Sequence, residues 1–133
     1  MSRSRLGAWG ERLAWLHLAA RGYRLVHRGW RCGRLGEIDL ILRRGACLVF
    51  VEVKTRRGHA HGRPEEAVDR RKQARIVKLA AAFRASLPPD SPLLRLRVRL
   101  DVVAIERLGV CAWRLRHLPD AFEERRGTAR RSG

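Results

Sequence analysis

EIDLILRRGACLVFVEVK, residues 37–54, carries two runs rich in aliphatic and β-branched residues, Glu37–Leu42 and Cys47–Lys54, separated by Arg43-Arg44-Gly45. Runs of this length, bounded by turn chemistry, read as two strands of an antiparallel hairpin. Between Gly22 and Val51 the only acids are Glu37 and Asp39, and the next is Glu52, inside an otherwise apolar strand. A buried strand seldom carries a charge without a partner or a metal. Strand periodicity places Leu48, Phe50, Glu52 and Lys54 on one face. A tight Arg44-Gly45 turn would pair Arg43 with Ala46 and oppose Asp39 to Phe50. Asp39 would then sit diagonal to Glu52, roughly 7–8 Å away between backbones, with Lys54 on the same face. A slip of one residue would send Asp39 to the opposite face.

Two carboxylates at that separation repel unless a proton or cation lies between them. Mg²⁺ or Mn²⁺ accepts one or two carboxylates together with water and phosphate oxygens. Such an ion neutralises charge on a scissile phosphate, and a neighbouring lysine orients water or steadies developing charge. The pattern of Asp39, Glu52 and Lys54 therefore holds the parts for metal-assisted phosphodiester hydrolysis. It is equally compatible with a plain Glu52–Lys54 ion pair on a half-exposed strand.

Outward from the hairpin, Arg5–Arg21 reads as a helix with Leu6, Trp9, Leu13, Leu16 and Ala20 on its apolar face and Gly22 at C′. Glu11 lies beside that face, as a candidate metal or water ligand or as an ion-pair partner. Tyr23–Arg31 reads as a strand, followed by a Cys32-Gly33-Arg34 turn. Thr55–Arg63 reads as a mobile polar loop in which His59 and His61 are solvated. Pro64 suits the first turn of a second helix running to Ala85, with Glu65, Glu66 and Asp69 favouring its N-terminal dipole. Lys72 interrupts that helix's apolar stripe of Val68, Ile76, Leu79 and Phe83, so it points toward the sheet. Arg95–Glu106 and Val110–Leu118 read as two more strands, joined through Leu108-Gly109. The order is α-β-β-β-α-β-β, an α/β fold with a mixed central sheet flanked by helices. Residues 1–118 form one domain and 119–133 a flexible basic tail.

The chain has 133 residues and a net charge of +17, from 30 basic and 13 acidic side chains. Lys54, Lys72 and Lys78 are its lysines, so the basic charge is almost all arginine. Such a balance favours a polyanionic partner, most simply nucleic acid. No apolar run approaches the ~18 residues of a membrane span. The start has no continuous apolar region of a secretory kind, and Cys32, Cys47 and Cys111 form no C-x-x-C, so a cytoplasmic protein with reduced thiols is expected. A homodimer is left open.

Gly7-x-x-Gly10-Glu11-x-x-Ala14, Arg21-Gly22-Tyr23, Trp30-Arg31, Gly36-Glu37-Ile38-Asp39-Leu40-Ile41, Val49-Phe50-Val51-Glu52-Val53-Lys54-x-Arg56, Gly62-x-Pro64-x-x-Ala67-Val68 and Lys72 together resemble the YraN-type bacterial proteins. That family is placed in the PD-(D/E)xK nuclease superfamily, alongside archaeal-type Holliday-junction resolvases. The resemblance covers roughly Gly7 to Asp101. It implies a restriction-endonuclease-like core, with Asp39 and Glu52 holding Mg²⁺ (or Mn²⁺), helped by the Val53 carbonyl, and Lys54 as catalytic lysine. Glu11 corresponds to the acid of the first helix and Lys72 to the polar residue of the second. Gly29, His61 and Leu100 depart from the family pattern outside this group. The expected function is a metal-dependent nuclease hydrolysing DNA, with structured or branched DNA in repair or recombination as its substrate class. Lys72, Arg56 and Arg57 would contact phosphates. The alternative is a non-catalytic basic nucleic-acid-binding module whose acids are structural ion pairs.

Overall fold

The computed structural model describes residues 3–58 and 69–121. Among them the elements run α1 (Arg3–Ala19), β1 (Arg24–Cys32), β2 (Gly36–Arg44), β3 (Cys47–Arg57), α2 (Arg70–Ala85), β4 (Arg97–Arg107) and β5 (Trp113–Leu118). Short 3₁₀ turns at Gly33–Leu35 and Pro92–Arg95 precede β2 and β4. The strands form one mixed sheet in the order β1-β2-β3-β4-β5. Only β3 and β4 pair in parallel, in register from Cys47↔Arg97 to Arg57↔Arg107. A parallel pair needs a crossover, and α2 supplies it.

Each helix covers one face. Ile76, Leu79, Ala80 and Phe83 of α2 pack on Ile38, Ile41, Leu48, Phe50, Leu100 and Val102. Ala14 and Leu18 of α1 pack with Tyr23 on Leu40, Leu42, Val49, Val51, Val103 and Ile105. Central strands buried on both faces read as continuous apolar runs, as Val102–Ile105 does. Among the described residues no helix is long and apolar enough to cross a membrane.

The expected face of α1 is corrected. Leu16 is 58% exposed and Ala20 lies in the turn after the helix, whereas Leu6, Gly10, Ala14 and Leu18 are buried. This i, i+4 stripe of small central residues lets the helix backbone approach β3. A Cβ built on Gly10 would overlap Thr55 Oγ1, and Thr55 Cβ and Cγ2 would lie at only 3.0 and 3.1 Å, so rotating Thr55 gives no relief. The helix ends as expected. Gly22, at φ 91, donates to the Ala19 carbonyl and Tyr23 to that of Leu18, a Schellman closure in which Tyr23 packs back on Leu18.

Of the other boundaries that move, three have a clear physical cause. β3 continues through Thr55, Arg56 and Arg57, because β4 supplies these residues with a ladder that the polar sequence does not announce. Residues 59–63 of the expected loop lie outside the described residues. α2 begins at Arg70 rather than at Pro64, because Asp69 is its N-cap and accepts a hydrogen bond from Lys72 N at 2.9 Å. Pro64, Glu65, Glu66 and Val68 lie outside the described residues. β5 starts at Trp113, after a turn in which Leu108 N bonds to the Ala112 carbonyl. At the start of the expected tail, Asp120 N donates to Asp101 and Ala121 N to the Leu100 carbonyl; residues 122–133 lie outside the described residues.

Two alanine substitutions on one helix should move stability in opposite directions. Helix propensity alone favours alanine over glycine by roughly 1 kcal/mol. Gly7 has nothing within 4 Å of its built Cβ, so Gly7→Ala should raise the melting temperature by a few degrees. At Gly10 the overlap outweighs propensity, and Gly10→Ala should cost about 1–3 kcal/mol. Thermal melts of the two variants check this; a stabilised Gly10→Ala would contradict the close approach of α1.

Candidate active site

The hairpin register is corrected first. Arg44 pairs with Cys47 and Arg43 with Leu48, so the turn is Gly45-Ala46, with Gly45 at φ 56. Two-residue hairpin turns need a positive φ at the first turn position, and glycine supplies it. The register moves by two residues, not one, which preserves the faces. Continued, it sets Asp39 across from Glu52 rather than diagonal to it.

That continuation does not take place. The β2–β3 ladder stops at Leu40↔Val51, while β2 goes on pairing with β1 to Gly36 and β3 with β4 to Arg57. The sheet forks. At the fork, Asp39 Oδ2 accepts the Val53 N–H at 2.7 Å, doing what a main-chain carbonyl of β2 would otherwise do. Strict alternation would send Ile38 to the same face as Leu40, yet Ile38 and Ile41 both pack toward α2. The strand therefore turns over at Asp39. In an extended strand the N–H and C=O of one residue point to the same side. The Val53 carbonyl thus faces the fork along with its N–H.

A cleft of about 640 Å³ opens there, lined by Leu6, Gly7, Glu11, Asp39, Glu52, Val53, Lys54, Thr55, Arg56, Arg57 and Lys72. Glu11 reaches it from α1 on one face and Lys72 from α2 on the other. All the residues singled out from the sequence as catalytic, metal-binding or phosphate-contacting therefore converge: Asp39, Glu52, Lys54, Glu11, Val53, Lys72, Arg56 and Arg57. The partner of Glu52 is not the one in the alternative ion-pair reading. Lys72 Nζ, not Lys54, forms the ion pair with Glu52 Oε2, at 3.7 Å. Arg75, one turn further along α2, adds its field to Glu52. It was not legible as a site residue, although its i+3 spacing from Lys72 puts it on the same side of the helix.

The site is electrostatically unsettled. Burial, then the charge of Glu52, pushes the Asp39 carboxyl up to about 8, against the pull of the Val53 hydrogen bond. Burial also raises Glu52, opposed by Lys72, Arg75, a hydrogen bond with Asp39, and Lys54. Burial and then Glu37 raise Glu11. The charge of Lys72, followed by burial, lowers Lys54. A hard cation between Asp39 and Glu52 would relieve the repulsion that helps raise Asp39. Among the described residues no group of three or more His, Cys, Asp or Glu side chains is arranged to hold a metal. Two carboxylates and one carbonyl would leave the rest of a shell to water and substrate oxygens, as Mg²⁺ accepts.

The raised Asp39 pKa fixes a pH dependence. The folded chain keeps a proton that the unfolded chain releases above about pH 4. Stability of the metal-free protein should therefore fall as pH rises from about 4 to about 8. Asp39→Asn does not titrate and keeps an oxygen for Val53 N. It should match wild type near pH 4 and exceed it by roughly 1–3 kcal/mol at pH 8, a figure discounted for the cleft's access to solvent. Melts in chelator across this range check the sign; a variant less stable at pH 8 would show that Asp39 is an ionised structural partner.

The profile of Uncharacterised protein family UPF0102 matches residues 10–105. A UPF0102 protein of Roseiflexus castenholzii is 46% identical over 126 residues, covering 92% of this chain and 96% of its own. One from Frankia alni is 49% identical over 123 residues, covering 91% and 97%. Another, from Symbiobacterium thermophilum, is 49% identical over 106 residues, covering 80% and 85%. The matched span includes Glu11, both strands of the fork and Lys72, and the relatives run nearly the full length of the chain. The chain thus belongs to family UPF0102, the family to which its YraN-type resemblance points.

Proposed function

We propose that this chain is a metal-dependent nuclease hydrolysing DNA phosphodiester bonds, on a restriction-endonuclease-like core of the PD-(D/E)xK type. The observation that carries the reading is the fork. It brings two carboxylates, a main-chain carbonyl and a lysine to one cleft in a chain of net charge +17. A cytoplasmic location goes with this reading.

The donor set fits a hard divalent cation. Asp39 and Glu52 offer carboxylate oxygens, the Val53 carbonyl faces the same fork, and the like-charge repulsion that raises Asp39 is what a cation relieves. Mg²⁺ or Mn²⁺ held there would neutralise charge on a scissile phosphate. Lys54, its proton loosened by Lys72, orients the attacking water. Glu11, raised by burial and then by Glu37, lies at the α1 wall of the cleft, where it would assist at the metal or among its outer ligands. Arg56 and Arg57 line the wall where flanking phosphates would lie, and Lys72 balances Glu52 while presenting its ammonium to the substrate. Structured or branched DNA is the substrate class this reading takes first.

One observation favours the alternative, a non-catalytic nucleic-acid-binding module. The Glu52–Lys72 pair is already closed at 3.7 Å, as a structural ion pair would be. Two measurements separate the readings. Mg²⁺ or Mn²⁺ at a hundredfold excess over its Kd should stabilise wild type by about 2.7 kcal/mol, and Asp39→Asn by much less. A labelled panel of junctions, flaps, duplexes and single strands should be cut in the presence of metal. Glu52→Gln should lower that rate by about a hundredfold or more, the several kcal/mol that metal-held charge supplies, while keeping DNA binding in chelator. Unchanged cleavage by Glu52→Gln, or a wild type blind to metal in both measurements, would leave only the binding module.

A further inference from the structure

The register across β3, β4 and β5 continues beyond the cleft. Arg57 pairs with Arg107, and Arg107 with Trp113, so these three residues form one row across the sheet. Their parity matches that of Val53, Ile105 and Leu115, which face α1. The row therefore lies on the α1 side. There Trp9 of α1 meets Trp113 edge to face at 6.0 Å between ring centroids, and the Arg107 guanidinium lies over the Trp9 ring at 5.7 Å. Trp113 remains 48% exposed, and Val110, in the turn before β5, is 88% exposed.

An exposed indole is usually costly, but here it is braced on one side by a second indole and set among arginines. Arg107 and then Arg57 continue the row from Trp113 on the same face. One end of the row, Arg57, lines the cleft. Two strand spacings separate it from Trp113, about 10 Å, which corresponds to about three stacked nucleotides at 3.4 Å each. Such a combination of positive charge along a track and an aromatic face at its end suits a single strand. The backbone is drawn by charge, and a base stacks on the ring whatever its identity. A paired base has both faces covered by its neighbours and cannot use the platform.

We propose that Trp113, braced by Trp9 and flanked by Arg107, is a stacking platform for an unpaired base on a nucleic-acid strand leaving the cleft. The occupant is single-stranded nucleic acid, and the substrate has an unpaired segment about three nucleotides beyond the flanking phosphate at Arg57. This rests on the nucleic-acid reading of the cleft and names the substrate class more closely.

The test is binding by fluorescence anisotropy, in chelator, of the full chain to three labelled ligands of equal length: an oligo-dT, the same strand with abasic sites at its centre, and a duplex. Trp113→Ala should weaken binding to oligo-dT by about five- to a hundredfold, the range found for one stacked base. Its effect on the abasic strand and the duplex should stay within about twofold, with the salt dependence unchanged because no phosphate contact is removed. Trp113→Phe should retain most of the oligo-dT affinity and controls for folding. Equal effects on all three ligands, or none on any, overturn the platform. So does a wild type that sediments as a dimer which Trp113→Ala dissociates, since the patch would then be covered by a second copy. Because no metal is present, failure of this test leaves the cleavage assay standing, and failure of cleavage leaves this result standing.

Discussion

The hydrogen bond from Val53 N to the Asp39 carboxylate is where the sheet forks, and the rest of the site depends on it. A strand pair that ends inside a sheet leaves main-chain donors without partners, at a cost of about 1–3 kcal/mol each when buried. Here a side chain takes the role of the lost carbonyl. That substitution lets β2 turn over at Asp39 and frees β3 to run on with β4 alone. A notch opens between two strands that are still held firmly from their outer sides, by β1 and by β4. The carboxylate that terminates the ladder is also the one exposed to whatever enters the notch. Structure and candidate chemistry meet on a single side chain.

Two further features bring the helices to the notch. Gly10 lets α1 sit on Thr55, which places Glu11, the next residue, over the fork. Asp69 caps α2 so that Lys72 lies in its first turn, against Glu52. The +17 charge does not spread evenly over this arrangement. Glu52 and Glu37 act on both Glu11 and Asp39, while Lys72, Arg75 and Lys54 act on Glu52 against its burial. A concentrated acid group in an arginine-rich chain repels a polyanion locally unless a cation occupies it, while the surrounding arginines attract it.

Much of this was legible in the sequence, for reasons that differ from residue to residue. The hairpin read correctly because its apolar runs are dense and its turn contains glycine. Its register did not, since Arg44-Gly45 and Gly45-Ala46 are equally plausible turns by composition; the faces survived only because the two differ by an even number of residues. The α1 face differs from the expected one because the large residues repeat along one side of the helix, whereas it packs through Gly10 and Ala14. Strand β3 was cut short at Lys54 because Thr55-Arg56-Arg57 is polar, and the parallel ladder that holds it comes from β4, far away in sequence. A two-faced cleft could not be read from any local pattern.

Asp101 and Asp39 show what distinguishes a structural acid from a site acid in one fold. They are buried and half-buried carboxylates on strands separated only by β3. Asp101 receives Arg99 through Nε at 2.9 Å and Nη2 at 2.7 Å, His117 at 2.7 Å and Asp120 N at 2.9 Å. Burial alone would raise it, but the hydrogen bonds from His117, Arg99 and the Asp120 backbone hold it below the ordinary carboxylate range. Arg99 also bonds the Tyr23 hydroxyl, so the network ties β4 and β5 to the α1–β1 corner. Asp39 receives one main-chain donor and faces another acid, and it is pushed up to about 8. Burial raises both, so it does not set them apart; the number of donors does. A carboxylate given all its donors by the protein has no lone pair left to offer a ligand. One given a single donor, opposite Glu52, keeps its oxygens for a proton or a cation. The chain spends its arginine on Asp101 and withholds it from Asp39, and that difference marks the fork, rather than the Asp101 network, as the place where chemistry can happen.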